Sequence, residues 1–173
     1  MLQSKLKQAL ISFKNLRVTL PYPSQPAPPP EGFRGQVAVD IGKCIGCGAC
    51  AMVCPPRLIN IDDLDGRRTL EFRLGRCTYC AMCADVCPVE AITLGQEFEL
   101  ATDDRGDLDI DVELLMAKCE HCGEAFTTRR IIDKLAAEVS KKLGMEPADM
   151  KWLHLCLNCR GAAELDKTSV AGG

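Results

Sequence analysis

The sequence predicts an α+β fold in which metal-thiolate bonds supply much of the folding energy that a larger apolar core would otherwise provide. Three observations predict it. All twelve cysteines sit in clusters at two- or three-residue spacing, aromatic residues make up only 5% of the 173-residue chain, and a unit of loop, short helical turn and strand occurs twice.

The cysteine arrangement also places the chain. A secreted disulfide scaffold scatters its cysteines, whereas Cys-x2-Cys neighbours read as metal ligands in a reducing compartment. The N-terminus has no long apolar run and no small-residue cleavage site, so it reads as retained rather than as a signal peptide. No stretch approaches the ~20 apolar residues that span a bilayer. A net charge of -3 argues against nucleic acid as a partner, because phosphate binding needs a concentrated basic face. The basic end is the N-terminus, where residues 1 to 43 hold six Lys or Arg against two acids.

Residues 1 to 20 place Leu2, Leu6, Leu10, Phe13 and Leu16 at helical spacing, with Lys5, Lys7 and Lys14 largely opposite. Two readings fit this amphipathic helix. One is an anchor on a membrane surface or membrane subunit, the other an ordinary helix packed on its own domain. Residues 21 to 39 form a Pro-rich linker with Pro21, Pro23, Pro26, Pro28, Pro29 and Pro30, a density that favours extended polyproline backbone.

Residues 40 to 100 contain the duplication, "CIGCGACAMVCPPRLINID" and "CTYCAMCADVCPVEAITLG", whose first cysteines lie 33 residues apart. Each half offers a helical turn (residues 48 to 53; 81 to 86) and a β-rich run (58 to 62; 91 to 94). Asp65-Gly66 between them predicts a hairpin over residues 58 to 72. In residues 101 to 160, "DVELLMAKC" reads as a helix running into Cys119, and residues 127 to 143 as a longer helix. That longer helix carries an apolar stripe of Ile131, Ile132, Leu135, Val139 and Leu143, with Thr127 or Thr128 as N-cap and Gly144 as stop. Residues 161 to 173 read as a flexible tail.

Cys44, Cys47, Cys50 and Cys54, followed by Pro55, form the run C-x2-C-x2-C-x3-C-P, and Cys77, Cys80, Cys83 and Cys87, followed by Pro88, repeat it. This is the ligand run of bacterial ferredoxins, in which the fourth cysteine ligates the other cluster. Three thiolates at two-residue spacing wrap one cubane, and the fourth, held extended by the proline, points away. The expected assignment is crossed: Cys44, Cys47, Cys50 and Cys87 on one 4Fe-4S cluster, Cys77, Cys80, Cys83 and Cys54 on the other. Zinc or disulfides are the competing readings. Gly46 and Gly48 admit close backbone approach to the first cluster; the second loop offers Thr78, Tyr79, Ala81 and Met82, which predicts unequal potentials whose order these residues do not fix. Tyr79 reads as an aromatic that excludes water from its cluster, with electron relay as the alternative.

Cys119 and Cys122 find their partners in Cys156 and Cys159, a tetrathiolate set suited to a soft tetrahedral metal. Zinc is the first expectation and a rubredoxin-like iron the alternative. His121 and His154 lie beside the pairs as surface or hydrogen-bonding residues rather than ligands.

The order "YP", "FRG", "CIGCGAC", "FRLGRCTYCAMCADVCPVEAI" and "EFELA", followed by the paired cysteines, resembles the two-cluster iron-sulfur subunit of formate hydrogenlyase and group 4 membrane-bound NiFe hydrogenases. It is similar, more distantly, to the TYKY-type ferredoxin subunit of respiratory complex I. The resemblance implies an electron-carrying subunit without a substrate pocket of its own, cytoplasmic and peripheral on the inner face of the cell membrane. Implied partners are hydrogenase-like small and large subunits, membrane-arm subunits reached through residues 1 to 20, and an electron-donating iron-sulfur or dehydrogenase subunit. Two departures stand out: "CPPRLI" replaces the usual CPxxAI, and Ala81 stands where glycine commonly follows the second cysteine of the second run. A free soluble ferredoxin is the nearest rival, and a regulatory or scaffolding module a more distant one.

Overall fold

A computed structural model describes residues 2 to 15, 19 to 25 and 27 to 162. Leu16, Arg17, Pro26 and the expected tail from Ala163 onward lie outside the described residues. The chain forms two compact units, one up to Phe33 and one from Arg34.

In the first unit, helix α1 spans Leu2–Lys14, and Leu6, Leu10, Ile11 and Phe13 are exposed on it. The proline-rich segment is not continuously extended. A turn carries the Gln25 N–H to the Pro21 carbonyl at 3.0 Å, and another carries the Phe33 N–H to the Pro30 carbonyl at 3.1 Å. No helix among the described residues is long and apolar enough to cross a membrane.

The second unit begins before residue 40. Strand β1 (Val37–Val39) pairs antiparallel with β4 (Ile92–Leu94), Val37 opposite Leu94 and Val39 opposite Ile92. This two-stranded ribbon ties the start of the first repeat to the end of the second. Helices α2 (Ala49–Val53) and α3 (Met82–Asp85) are the two short turns. Strands β2 (Ile59–Leu64) and β3 (Arg67–Arg73) form the expected hairpin, with Leu64 opposite Arg67. Asp65 and Gly66 both take positive φ, 51° and 74°, as a two-residue type I′ turn requires.

The expected helix through residues 111 to 119 is corrected. Strand β5 (Asp109–Lys118) occupies that stretch and pairs antiparallel with β3, Leu70 opposite Val112 and Phe72 opposite Ile110. Its side chains alternate, with Val112, Leu114 and Met116 buried and Asp111, Glu113 and Leu115 exposed. A helix would leave the outer edge of β3 without hydrogen-bond partners; the strand satisfies it. Strand β6 (Ala125–Thr128) adds to β5 across an irregularity at Ala117/Lys118, giving the sheet order β2-β3-β5-β6. The C-terminal region is therefore stranded as well as helical, and its first strand belongs to the sheet of the duplicated region.

Helix α4 (Arg129–Leu143) starts at Thr128, whose hydroxyl accepts the Ile131 N–H, and stops at Gly144 with φ 65°. Of its predicted stripe, Ile132 is buried, but Leu135 and Leu143 are largely exposed. A 3-10 segment, Pro147–His154, follows, and residues 157 to 162 are helical.

The main core lies between the sheet and the cysteine loops, built on Leu70, Phe72, Val112, Leu58 and Val37. Leu70 and Phe72 retain 1% exposure each, and burying a side chain of that size contributes about 1.5–3 kcal/mol. A smaller core of Ala117, Ile132, Met150 and Leu153 supports the C-terminal cysteines.

Candidate metal centres

The eight cysteines of the two runs line two cavities, sorted across the runs. Cys44, Cys47 and Cys50 share one cavity with Cys87; Cys77, Cys80 and Cys83 share the other with Cys54. Phe72 lines both. The exchange follows from local structure. Each short helix turns the chain back after its third cysteine, and the fourth leaves it: Cys54 caps α2 in extended conformation, φ -71° and ψ 112°.

The duplication extends to backbone strain. Gly46 (φ 73°) and Gly48 (φ 77°) take left-handed conformations in the first loop, and Tyr79 (φ 50°) and Ala81 (φ 69°) take them at the corresponding positions of the second. Arg57 (φ 49°) and Glu90 (φ 50°) match in the same way after the fourth cysteines. A non-glycine residue held there costs about 1–2 kcal/mol, so the second loop retains the shape at a steric cost that the first avoids. Left-handed residues in such loops turn successive N–H groups inward, as anion-binding nests do. The Tyr79 N–H donates to Cys77 Sγ at 3.4 Å and the Ala91 N–H to Cys87 Sγ at 3.2 Å.

At three of the eight cysteines, Cys44, Cys50 and Cys83, electrostatics favour the neutral thiol. Burial pushes the Cys44 and Cys83 thiols up, and the Cys50 thiol up to about 12, against the pull of the N–H groups of Gly46, Ala84 and Ala51. Thiolates here require positive charge among them. Four thiols, N–H donors aimed at sulfur and otherwise mainly apolar walls fit an iron-sulfur cubane in each cavity. Burial also raises the Tyr79 phenol, whose residue lines the second cavity.

Side chains from distant elements hold the first loop. Arg68 on β3 donates to the Gly46 carbonyl at 3.0 Å while forming two bonds to Asp63, at 2.6 and 2.7 Å. Thr128 donates to the Ile45 carbonyl, and Arg130 to the carbonyls of Ile41 and Cys44 at 2.5 and 2.7 Å. Lys134 donates to the Pro88 carbonyl at 3.1 Å, beside Cys87. The sequence reading used Thr128 only as a helix cap and missed these side-chain contacts; the only local signal was "TTRR", polar residues opening a helix.

The replacement of the usual CPxxAI by "CPPRLI" has a visible consequence. Leu58 follows Cys54 at the spacing at which Ala91 follows Cys87; both are buried, and Leu58 lines the second cavity with its larger side chain.

Cys119, Cys122, Cys156 and Cys159 come together as well, all four Sγ atoms lying within 4.8 Å of one another. The β5–β6 connection supplies the first pair and the turn after the 3-10 segment the second. Cys122 and Cys156 sulfurs stand 3.8 Å apart, the edge expected of a tetrahedron with metal-sulfur bonds of about 2.3 Å and far beyond a disulfide bond of about 2.05 Å. N–H groups of Cys122 and Cys156 draw the Cys119 thiol down to about 6, and the Cys156 N–H lies 3.3 Å from that sulfur. Hydrogen bonding with Cys156 and burial push Cys159 up to about 12. His121 Nδ1 sits 3.5 Å from Cys159 Sγ, while His154 contributes only its carbonyl, to the Glu120 N–H.

Two tetrathiol cavities exchanging one cysteine each define the chain as a dicluster iron-sulfur protein. Residues 43 to 91 match the 4Fe-4S dicluster domain family. Over 117 residues the chain is 39% identical to formate hydrogenlyase subunit 6 of Escherichia coli K12, covering 66% of this chain and 65% of that protein. Over 125 residues it is 37% identical to the chloroplastic NAD(P)H-quinone oxidoreductase subunit I of Citrus sinensis, covering 68% and 75%. A chain of the membrane-bound sulfane sulfur reductase, an archaeal respiratory membrane complex, matches at 31% identity over 57% of this chain and 56% of its own, with a TM-score of 0.44. The protein belongs to the dicluster iron-sulfur subunit family that includes formate hydrogenlyase subunit 6 and NAD(P)H-quinone oxidoreductase subunit I.

Proposed function

We propose that this protein relays electrons through two 4Fe-4S clusters inside a membrane-associated hydrogenase or complex I-like assembly. The observation that carries the reading is the sorting of eight cysteines into two adjacent cavities with one wall in common, Phe72. Cys44, Cys47, Cys50 and Cys87 would hold one cluster, and Cys77, Cys80, Cys83 and Cys54 the other. Each cluster supplies a one-electron couple. The chain's own part is to fix both cubanes side by side, donate N–H groups to their sulfurs and exclude water with Leu70, Phe72 and Ile92.

In this reading Cys119, Cys122, Cys156 and Cys159 hold one structural zinc, which is supported by the closed set of four thiols, a set that leaves no open coordination position. Residues 1 to 20 serve as the anchor toward the membrane arm, supported by the exposed Leu6, Leu10 and Phe13 on α1. Residues 40 to 100 carry the clusters, and residues 101 to 160 brace them. The partners are hydrogenase-like small and large subunits on one side and an electron-donating iron-sulfur or dehydrogenase subunit on the other, on the cytoplasmic face of the membrane.

Anaerobic size separation of native extract, with mass identification of co-migrating chains, tests this function. Migration within a large assembly containing hydrogenase-like or quinone-reductase-like subunits supports it. Migration as an isolated small protein points instead to a diffusing ferredoxin.

A further inference from the structure

The two cavities differ in the charge around them. Arg130 places its guanidinium on the Ile41 and Cys44 carbonyls of the first loop, 2.5 and 2.7 Å away. Arg68 reaches the Gly46 carbonyl and Lys134 the Pro88 carbonyl, so three cations touch the backbone beside Cys44, Cys47 and Cys87. On the second loop the corresponding contact among the described residues is one: Arg34, exposed, donates to the Cys80 carbonyl at 3.3 Å.

Counter-charges narrow the comparison. Arg68 is paired with Asp63 at 2.6 Å and Lys134 with Glu138 at 3.5 Å, which offsets much of their field. Arg130 has no ion pair among the described residues, is only part-exposed and reaches from the first turn of α4 to the first loop. Arg34 also lacks an ion pair among the described residues, but water screens its exposed charge. The charge of Arg130 reaches Cys44 Sγ, and Arg68 and Cys47 act on each other. The positive end of the α4 dipole adds the same sign, because its cap Thr128 is bonded to Ile45.

N–H donors to sulfur do not cancel the difference. The first cavity has Gly46, Ala51 and Ala91 as donors and the second has Tyr79, Cys83 and Ala84, so among the described residues the two sets match in number. A cubane held by four thiolates is already anionic, and one-electron reduction adds negative charge without a proton. Positive charge nearby therefore stabilises the reduced form and raises the potential.

Taking the crossed cluster assignment above as given, we propose that the cluster on Cys44, Cys47, Cys50 and Cys87 is the higher-potential member of the pair, and that Arg130 is the residue that sets it there. An electron shared by the two clusters then rests on the first. Arg130 acts as a positioning and tuning residue, and links the C-terminal brace to the redox properties of the duplicated region.

The test is a redox titration of the full-length, cluster-loaded chain under anaerobic conditions, followed by low-temperature electron paramagnetic resonance. Cys47→Ser and Cys80→Ser assign the first- and second-cluster signals. The wild-type first-cluster signal should appear at the higher potential. Arg130→Gln should shift its reduction equilibrium about tenfold toward the oxidised form, equivalent to about 59 mV for one electron. Arg130→Lys should restore most of that shift, and Arg34→Gln should move the second cluster less. The proposal is overturned if the wild-type first cluster titrates at or below the second, or if both clusters load in Arg130→Gln and the first does not move. Should Arg130→Gln fail to load, the wild-type order and the Arg130→Lys potential decide. A wild-type iron content far below about eight per chain would instead count against the dicluster reading itself.

Discussion

The hydroxyl of Thr128 donates to the carbonyl of Ile45 at 2.5 Å, joining residues 83 positions apart in the chain. The same oxygen accepts the Ile131 N–H at 3.4 Å, and Thr128 is fully buried. One side chain thus starts helix α4 and anchors the loop between Cys44 and Cys47.

Replacing Thr128 with Val keeps the volume but leaves the Ile45 carbonyl without its donor and α4 without its cap. An unsatisfied buried group costs about 1–3 kcal/mol, and a lost cap about 1 kcal/mol. Denaturant melts of the loaded protein should show a loss of about 2–4 kcal/mol, with first-cluster iron released before second-cluster iron. A melt within about 0.5 kcal/mol of wild type would contradict the brace.

Gly46 and Ala81 make a second comparison, since both occupy left-handed backbone. A Cβ at Gly46 would meet Leu114 Cδ1 at 2.6 Å and Thr128 Cγ2 at 2.9 Å. Strain of about 1–2 kcal/mol then adds to overpacking of about 1–3 kcal/mol, so Gly46→Ala should destabilise the protein by at least about 2 kcal/mol. Ala81→Gly relieves strain but adds chain entropy of about 0.5–1 kcal/mol and should stay within about 1 kcal/mol of wild type. Equal tolerance at both positions, measured by thermal melts, would refute the steric argument.

Much of this arrangement was legible in the residues, and the exceptions have physical causes. Cysteine spacing brought all twelve thiols into three groups because metal-ligand geometry is local and strict. Asp65-Gly66 predicted its hairpin because a two-residue type I′ turn requires positive φ at both positions, which Asp and Gly accept more readily than most residues. "DVELLMAKC" misled because Leu114, Leu115, Met116 and Ala117 suit a helix, while the force that extends them is the unpaired edge of β3, some forty residues upstream. Val112, Leu114 and Met116 do alternate with Asp111, Glu113 and Leu115, a signal that strong helix formers masked. The contacts of Arg68, Thr128, Arg130 and Lys134 with loop carbonyls carry no sequence pattern, because such long-range bonds depend on the finished fold.

The C-terminal tetrathiol site predicts a pH dependence. Divalent metal must displace the protons that the metal-free thiols hold, so affinity rises with pH. Cys159, raised to about 12, surrenders a proton throughout the neutral range, whereas Cys119, lowered to about 6, surrenders one only below that pH. Chelator competition from about pH 5 to about pH 8 should show tighter zinc binding at higher pH, and a slope steeper by about one proton below about pH 6. In the metal-free chain the depressed Cys119 stabilises the fold above its unfolded value, a contribution lost as pH falls through about 6. A flat profile would remove these residues as the ligands.

The central claim is that each cluster takes three thiolates from its own run and one from the other. Low-temperature electron paramagnetic resonance of Cys54→Ser and Cys87→Ser, compared with wild type under anaerobic reduction, tests it most directly. The expected result is that Cys54→Ser alters the signal assigned to Cys77, Cys80 and Cys83, and Cys87→Ser the signal assigned to Cys44, Cys47 and Cys50. If each substitution instead disturbs only the cluster of its own run, the exchange of ligands between the two cavities is wrong.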